Sequence, residues 1–102
     1  MYPPRITQHP KHRTAVTGTK VTFCVEAKGD DLKFQWQKDG MDLDDDHIRG
    51  ADPKTLSIQS VQKSDKGCYR CLVKNDVGSK LTSESELSVC KLHLLKRLHS
   101  PV

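Results

Sequence analysis

Apolar and polar residues alternate in short runs along this chain, and each run closes on a turn signal. Leu32, Phe34 and Trp36 share one side of an extended segment and Lys33, Gln35 and Gln37 the other, with Asp39-Gly40 as the hairpin turn. Between Thr19 and Ala27, Val21, Phe23 and Val25 alternate against Thr22 and Cys24. Both sides of that segment carry apolar groups, so alternation alone does not name its inner face. Residues 55–58 form a short strand with Leu56 and Ile58 inward. Tyr69, Cys71 and Val73 alternate against Arg70, Leu72 and Lys74, and residues 75–78 (Asn-Asp-Val-Gly) make the next turn. Leu87 and Val89 end a last strand. Strands this short, at this spacing, predict an all-β two-sheet sandwich.

The rhythm stops after Cys90. Residues 91–102 form a basic C-terminal tail whose leucines at 92, 95 and 98 have helical spacing. A membrane-surface or partner helix is the sharper reading of that tail, and a linker to a further domain is preferred for a segment so short that ends in Ser-Pro. Residues 4–90 are read as one domain, which suits the length of 102 residues.

Cysteine spacing needs separate weighing. Cys68 and Cys71 stand three apart around Tyr69, the spacing of a redox or metal pair, but Cys24 and Cys90 stand alone and offer no matching second pair. Cys24, Trp36 and Cys71 come instead in the order cysteine, tryptophan, cysteine, with Tyr69 two positions before the last. With Gly18, Val21, Phe23 and Cys24, then Trp36-x-Lys38-Asp39-Gly40, Leu56-x-Ile58, Asp65-x-Gly67-x-Tyr69-x-Cys71 and Asn75-x-x-Gly78, the sequence resembles an immunoglobulin domain of the I-set. The resemblance implies an antiparallel Greek-key sandwich, with strands A, B, E and D packed on A′, G, F and C. It also implies a structural disulfide between Cys24 and Cys71 behind Trp36, a core built on Trp36, Tyr69, Leu56 and Ile58, and an outward Cys68. Counting back across the 75–78 hairpin sets Cys68 opposite a residue near Glu86. Cys90 then lies about 13 Å further along, too far for a Cys68–Cys90 bond.

Charge changes the picture locally. Net charge is +4. Nine acidic and four basic residues lie between Glu26 and Asp52, a balance of −5, which leaves +9 on the rest of the chain. That asymmetry bears on association and does not by itself imply nucleic acid. Asp42, Asp44, Asp45 and Asp46 lack the spaced ligands and glycine of a calcium loop and read as a solvated loop. His9, His12, His47, His93 and His99 have no zinc-type spacing with the cysteines, and His9 and His12 read as free surface residues. Ser57, Ser60 and Ser64 lack the setting of a catalytic nucleophile. No catalytic residue, cofactor or metal is therefore expected.

No run has the length of a membrane span, and no leader sequence precedes the domain; Met1 is read as the start of an excised fragment. The expected function is a protein–protein interaction module of a larger multidomain protein of the cell-surface adhesion or receptor type. The alternative is a domain of an intracellular scaffold or signalling protein, titin-like or paracaspase-like, the latter sharing a short Leu-x-Val-Cys like Leu87-Ser-Val-Cys90. Extracellular and cytoplasmic locations both stay open, and weak self-association is compatible with either. The candidate contact surface is the outer side of the C, F and G strands, where alternation sets Gln35, Gln37, Arg70 and Leu72.

Overall fold

A computed structural model describes residues 1–43 and 53–90. Its strands are β1 (Arg5–Gln8), β2 (Arg13–Val16), β3 (Val21–Cys24), β4 (Glu26–Lys28), β5 (Lys33–Lys38), β6 (Met41–Asp42), β7 (Thr55–Ile58), β8 (Gly67–Asn75), β9 (Gly78–Leu81) and β10 (Ser85–Cys90). One layer runs β2-β10-β8-β5-β6, with β9 also paired to β8. The other contains β3 paired with β7 and β1 paired with β4, all antiparallel. The chain enters the first layer by a parallel pairing of β2 with β10. This is the immunoglobulin sandwich: strands A, B and E face strands A′, G, F and C, with β6 added as a short edge. The acidic residues Asp44–Asp46, His47, His93, His99 and the tail lie outside the described residues.

Period-two alternation builds the core between the layers. Val21, Phe23 and Val25 point inward from one sheet, and Tyr69, Cys71 and Val73 from the other, joined by Trp36, Leu56, Ile58, Val61 and Leu87. Trp36 keeps its indole N–H satisfied by donating to the Pro53 carbonyl at 3.2 Å. The Tyr69 ring stacks on Phe23 with centroids 5.1 Å apart, and its hydroxyl donates to the Asp65 carbonyl at 2.5 Å. That bond ties β8 to the 3-10 turn Lys63–Asp65, where the Asp65 carboxylate accepts from the Gln62 N–H. A side chain at Gly67 would meet the ends of the Asp39 and Lys38 side chains at 2.9 Å, so glycine leaves those groups their places where β8 begins under the β5–β6 turn. That turn has positive φ at both Asp39 and Gly40, the I′ geometry that Asp-Gly favours.

The disulfide that the resemblance implies between Cys24 and Cys71 is not formed. All four cysteines are free: Cys71 is fully buried, while Cys24 is exposed with its sulfur 3.7 Å from the Thr55 hydroxyl on the outer side of β3 and β7. The cause is phase. Phe23 and Val25 take the inward positions, so the intervening Cys24 must point out, and Val25 with 0% exposure stands in the core in its place. Bringing Cys24 inward would slip the strand by one residue and turn Val21, Phe23 and Val25 to solvent.

Candidate functional site

Outward residues of the larger sheet form three rungs across its strands. In the first, Asp42 pairs with Gln37 and Gln37 with Arg70. In the second, Gln35 pairs with Leu72 and Leu72 with Leu81. In the third, Lys33 pairs with Lys74 and Lys74 with Ser79. The sheet thus brings Gln35, Gln37, Arg70 and Leu72 side by side and adds Leu81, which alternation along a recognised last strand did not reach. Leu81 is 47% exposed and extends Leu72 into a small aliphatic shelf.

The polar members are held in place. Arg70 Nε donates to Gln37 Oε1 at 2.7 Å, and Gln37 Nε2 donates to Asp42 Oδ1 at 2.9 Å. Gln35 Nε2 donates to the Trp36 and Leu43 carbonyls, which stiffens the β5–β6 edge. Both amides are therefore oriented by the fold itself.

Below the first rung the surface turns acidic. Cys68 pairs with Glu86, and its thiol is pushed up from its ordinary value by burial and by the carboxylates of Glu84, Asp39 and Glu86. The Cys71 thiol, inward on the same strand, is pushed up to about 12 by burial, against the opposing effect of a hydrogen bond from the Gln35 backbone. Two thiols three positions apart on a strand thus face opposite sides, and neither carries the depressed pKa of a redox cysteine. Among the described residues no group of three or more His, Cys, Asp or Glu side chains could hold a metal ion.

Two histidines expected as free surface residues have partners. His9 Nδ1 accepts from the Ser83 N–H at 2.9 Å and His12 Nδ1 from the Glu86 N–H at 2.8 Å. They serve backbone donors of the last strand where its register against β8 shifts by one residue between the Leu72–Leu81 and Tyr69–Ser85 pairs. No local pattern signals this, because the partners are 74 positions apart. At the opposite end, the Tyr2–Arg5 arm and residues 28–30 border a cleft of about 410 Å³, pinned by Asn75 Nδ2 donating to the carbonyls of Tyr2 and Asp30.

This geometry can be set beside known proteins. The family model described as Immunoglobulin I-set domain matches residues 4–89. The chain belongs to the immunoglobulin I-set. Among relatives of this I-set domain, human Kazal-type serine protease inhibitor domain-containing protein 1 is 38% identical over 89 residues, covering 74% of the chain and 29% of that protein. Human peroxidasin homolog is 33% identical over 82% of the chain and 6% of its own length. Human hemicentin-1 is 34% identical over 85% of the chain and 2% of its own length. The I-set chain therefore spans a small part of each relative. Among solved structures, the N-terminal Ig1-2 module of the Drosophila receptor protein tyrosine phosphatase DLAR superposes with a TM-score of 0.79 at 27% identity, covering 85% of this chain and 45% of that one. Titin domains z1z2, solved in complex with telethonin, superpose at 0.78 with 23% identity, a likeness of fold alone.

Proposed function

We propose that this I-set domain is a protein–protein interaction module of a larger multidomain protein of the receptor or adhesion type, and that its contact surface is the outer face of β5, β8 and β9. One observation carries the surface: the Leu72–Leu81 shelf lies between a pre-oriented Arg70 and two lysines, an apolar centre with a polar rim. The receptor or adhesion setting is supported by the likeness to the DLAR receptor module and to the extracellular domains 3–5 of Drosophila OTK. The reading gives the domain no catalytic role, and Ser57 is buried in β7 rather than poised on a turn.

A second reading, a domain of an intracellular scaffold or signalling protein, is favoured by one observation: four free thiols suit a reducing compartment better than an oxidising one. Both readings use the same face.

The test is a photo-crosslinking residue placed at position 72 of the full-length protein in its native cells, with a matched probe at Thr22 on the opposite sheet. The expected result is a specific protein adduct at position 72 alone. Leu72→Glu and Arg70→Glu should then abolish binding of the captured partner, while Asp44→Lys combined with Asp45→Lys leaves it. Loss of binding only in the aspartate variant would sink the assignment of the face. Labelling of the intact cells with a membrane-impermeant reagent separates the two settings.

A further inference from the structure

The chemistry of the partner can be read from the charges on the three rungs. Lys33 and Lys74 are directly opposed across β5 and β8, a like-charge pair that costs stability in an antiparallel sheet. Among the described residues neither has a carboxylate within ion-pair distance, the pair Lys54–Glu26 being on the other sheet. Arg70 spends only Nε on Gln37, and no described group engages its two outer nitrogens. Gln37 is itself spent, accepting from Arg70 and donating to Asp42, so the guanidinium is aimed by a chain of hydrogen bonds that ends on the Asp42 carboxylate. Between these cationic rungs lie Leu72 and Leu81.

Resting on the reading of this face as the contact surface, we infer that it takes an extended acidic–aliphatic–acidic segment of a partner protein, with carboxylates at positions i and i+4 and the aliphatic side chain at i+2. Side chains on one face of a strand recur about every 6.6 Å, so Arg70, Leu72 and Lys74 present cation, aliphatic and cation at the spacing such a segment carries. One carboxylate meets the outer guanidinium nitrogens of Arg70 in a fork. The other sits between Lys33 and Lys74 and relieves their repulsion. The aliphatic group covers the Leu72–Leu81 shelf. Register is bounded as well. Sliding the segment one rung toward Cys68 would bring a carboxylate against Glu84, Glu86 and Asp39, which surround that end of the face.

The probe is a disulfide-cyclised hairpin peptide presenting Glu-Thr-Val-Thr-Glu on one strand, with Lys-Thr-Val-Thr-Lys as control, titrated into the isotopically labelled 102-residue chain and followed by amide and arginine side-chain NMR. The acidic hairpin should shift resonances of Arg70, Leu72, Leu81, Lys74 and Lys33, including the Arg70 Nε–H. The control should not. Arg70→Gln should weaken binding about tenfold, and Lys74→Gln about threefold, with unchanged Trp36 fluorescence as the check on folding. Raising salt to about 0.5 M should remove most of the affinity, because the contacts are solvent-rimmed. Equal binding of both hairpins, perturbations centred on the opposite sheet, indifference to Arg70→Gln, or no binding at all overturns the inference. If crosslinking at position 72 captures a partner while the acidic hairpin fails, the face stands and its chemistry is misread. If neither gives a signal, both readings fall.

Discussion

Strands β8 and β3 occupy the two places where an I-set domain usually carries its paired cysteines, and they differ by one residue of phase. On β8 every inward position obeys the family pattern: Gly67 fits under Asp39, Tyr69 ties back to Asp65, and Cys71 is fully buried. On β3 the cysteine comes one position early, and Val25 fills the buried place. No disulfide therefore joins the layers of this sandwich, which meet through packing between two apolar rows. A motif thus survives as a composition while failing as a geometry, and only the phase of its neighbours tells the two apart.

The largest effect should come from repairing the mismatch. Val25→Cys sets a second sulfur in the inward row opposite Cys71, and oxidation should raise stability by about 4 kcal/mol on the chain-entropy estimate. Denaturant unfolding with and without reductant measures the gain. A variant that keeps all its thiols free under oxidant would show that Val25 and Cys71 do not meet. Next in size is a contrast of single substitutions. Cys71→Ser places a hydroxyl in a buried site where the sulfur meets the Leu72 carbonyl at 3.8 Å and the Gln35 backbone, and should cost about 1–3 kcal/mol. Cys24→Ser, on the solvent side, should change stability by less than about 0.5 kcal/mol. Equal losses would mean the two strands are not out of phase.

Alkaline unfolding sharpens the same contrast. The unfolded Cys71 thiol ionises near its ordinary value of 9, while the folded one holds its proton to about 12. Across that window the unfolded state binds fewer protons, so stability present below pH 9 should fall by about 1.4 kcal/mol per pH unit for this group. Tyr69, whose hydroxyl is also pushed up by burial and by Asp65, adds to the fall at its upper end. In Cys71→Ala the slope just above pH 9 should flatten. The smallest effect belongs to Ser85, buried opposite Tyr69 with no partner for its hydroxyl. Ser85→Ala should be neutral or stabilising by up to about 1 kcal/mol.

Much of this was legible in the sequence, for local reasons. Trp36 and Tyr69 announce themselves by spacing, and the 75–78 turn lets the pairing of β8 with the last strand be counted to within a residue. Strand β3 was ambiguous because Cys24 is itself a small apolar residue, so both of its faces looked able to go inside. The histidine contacts were invisible, since they depend on a register shift near Thr82–Glu84 meeting a chain segment from the other end of the domain. The face of Gln35, Gln37, Arg70 and Leu72 followed from alternation, but the hydrogen-bond chain that aims Arg70 needed Asp42 on a strand of two residues.

The lone buried sulfur has a mechanical corollary. A bond between positions 25 and 71 would fence off the chain between them when the ends are pulled apart, so that stretching past the rupture of the sheets would yield only the flanking segments. Without it, the same pull pays out that stretch as well, roughly 150 Å of additional contour. Under load the domain would be a spring with a long reserve, extensible along its whole length once its layers part.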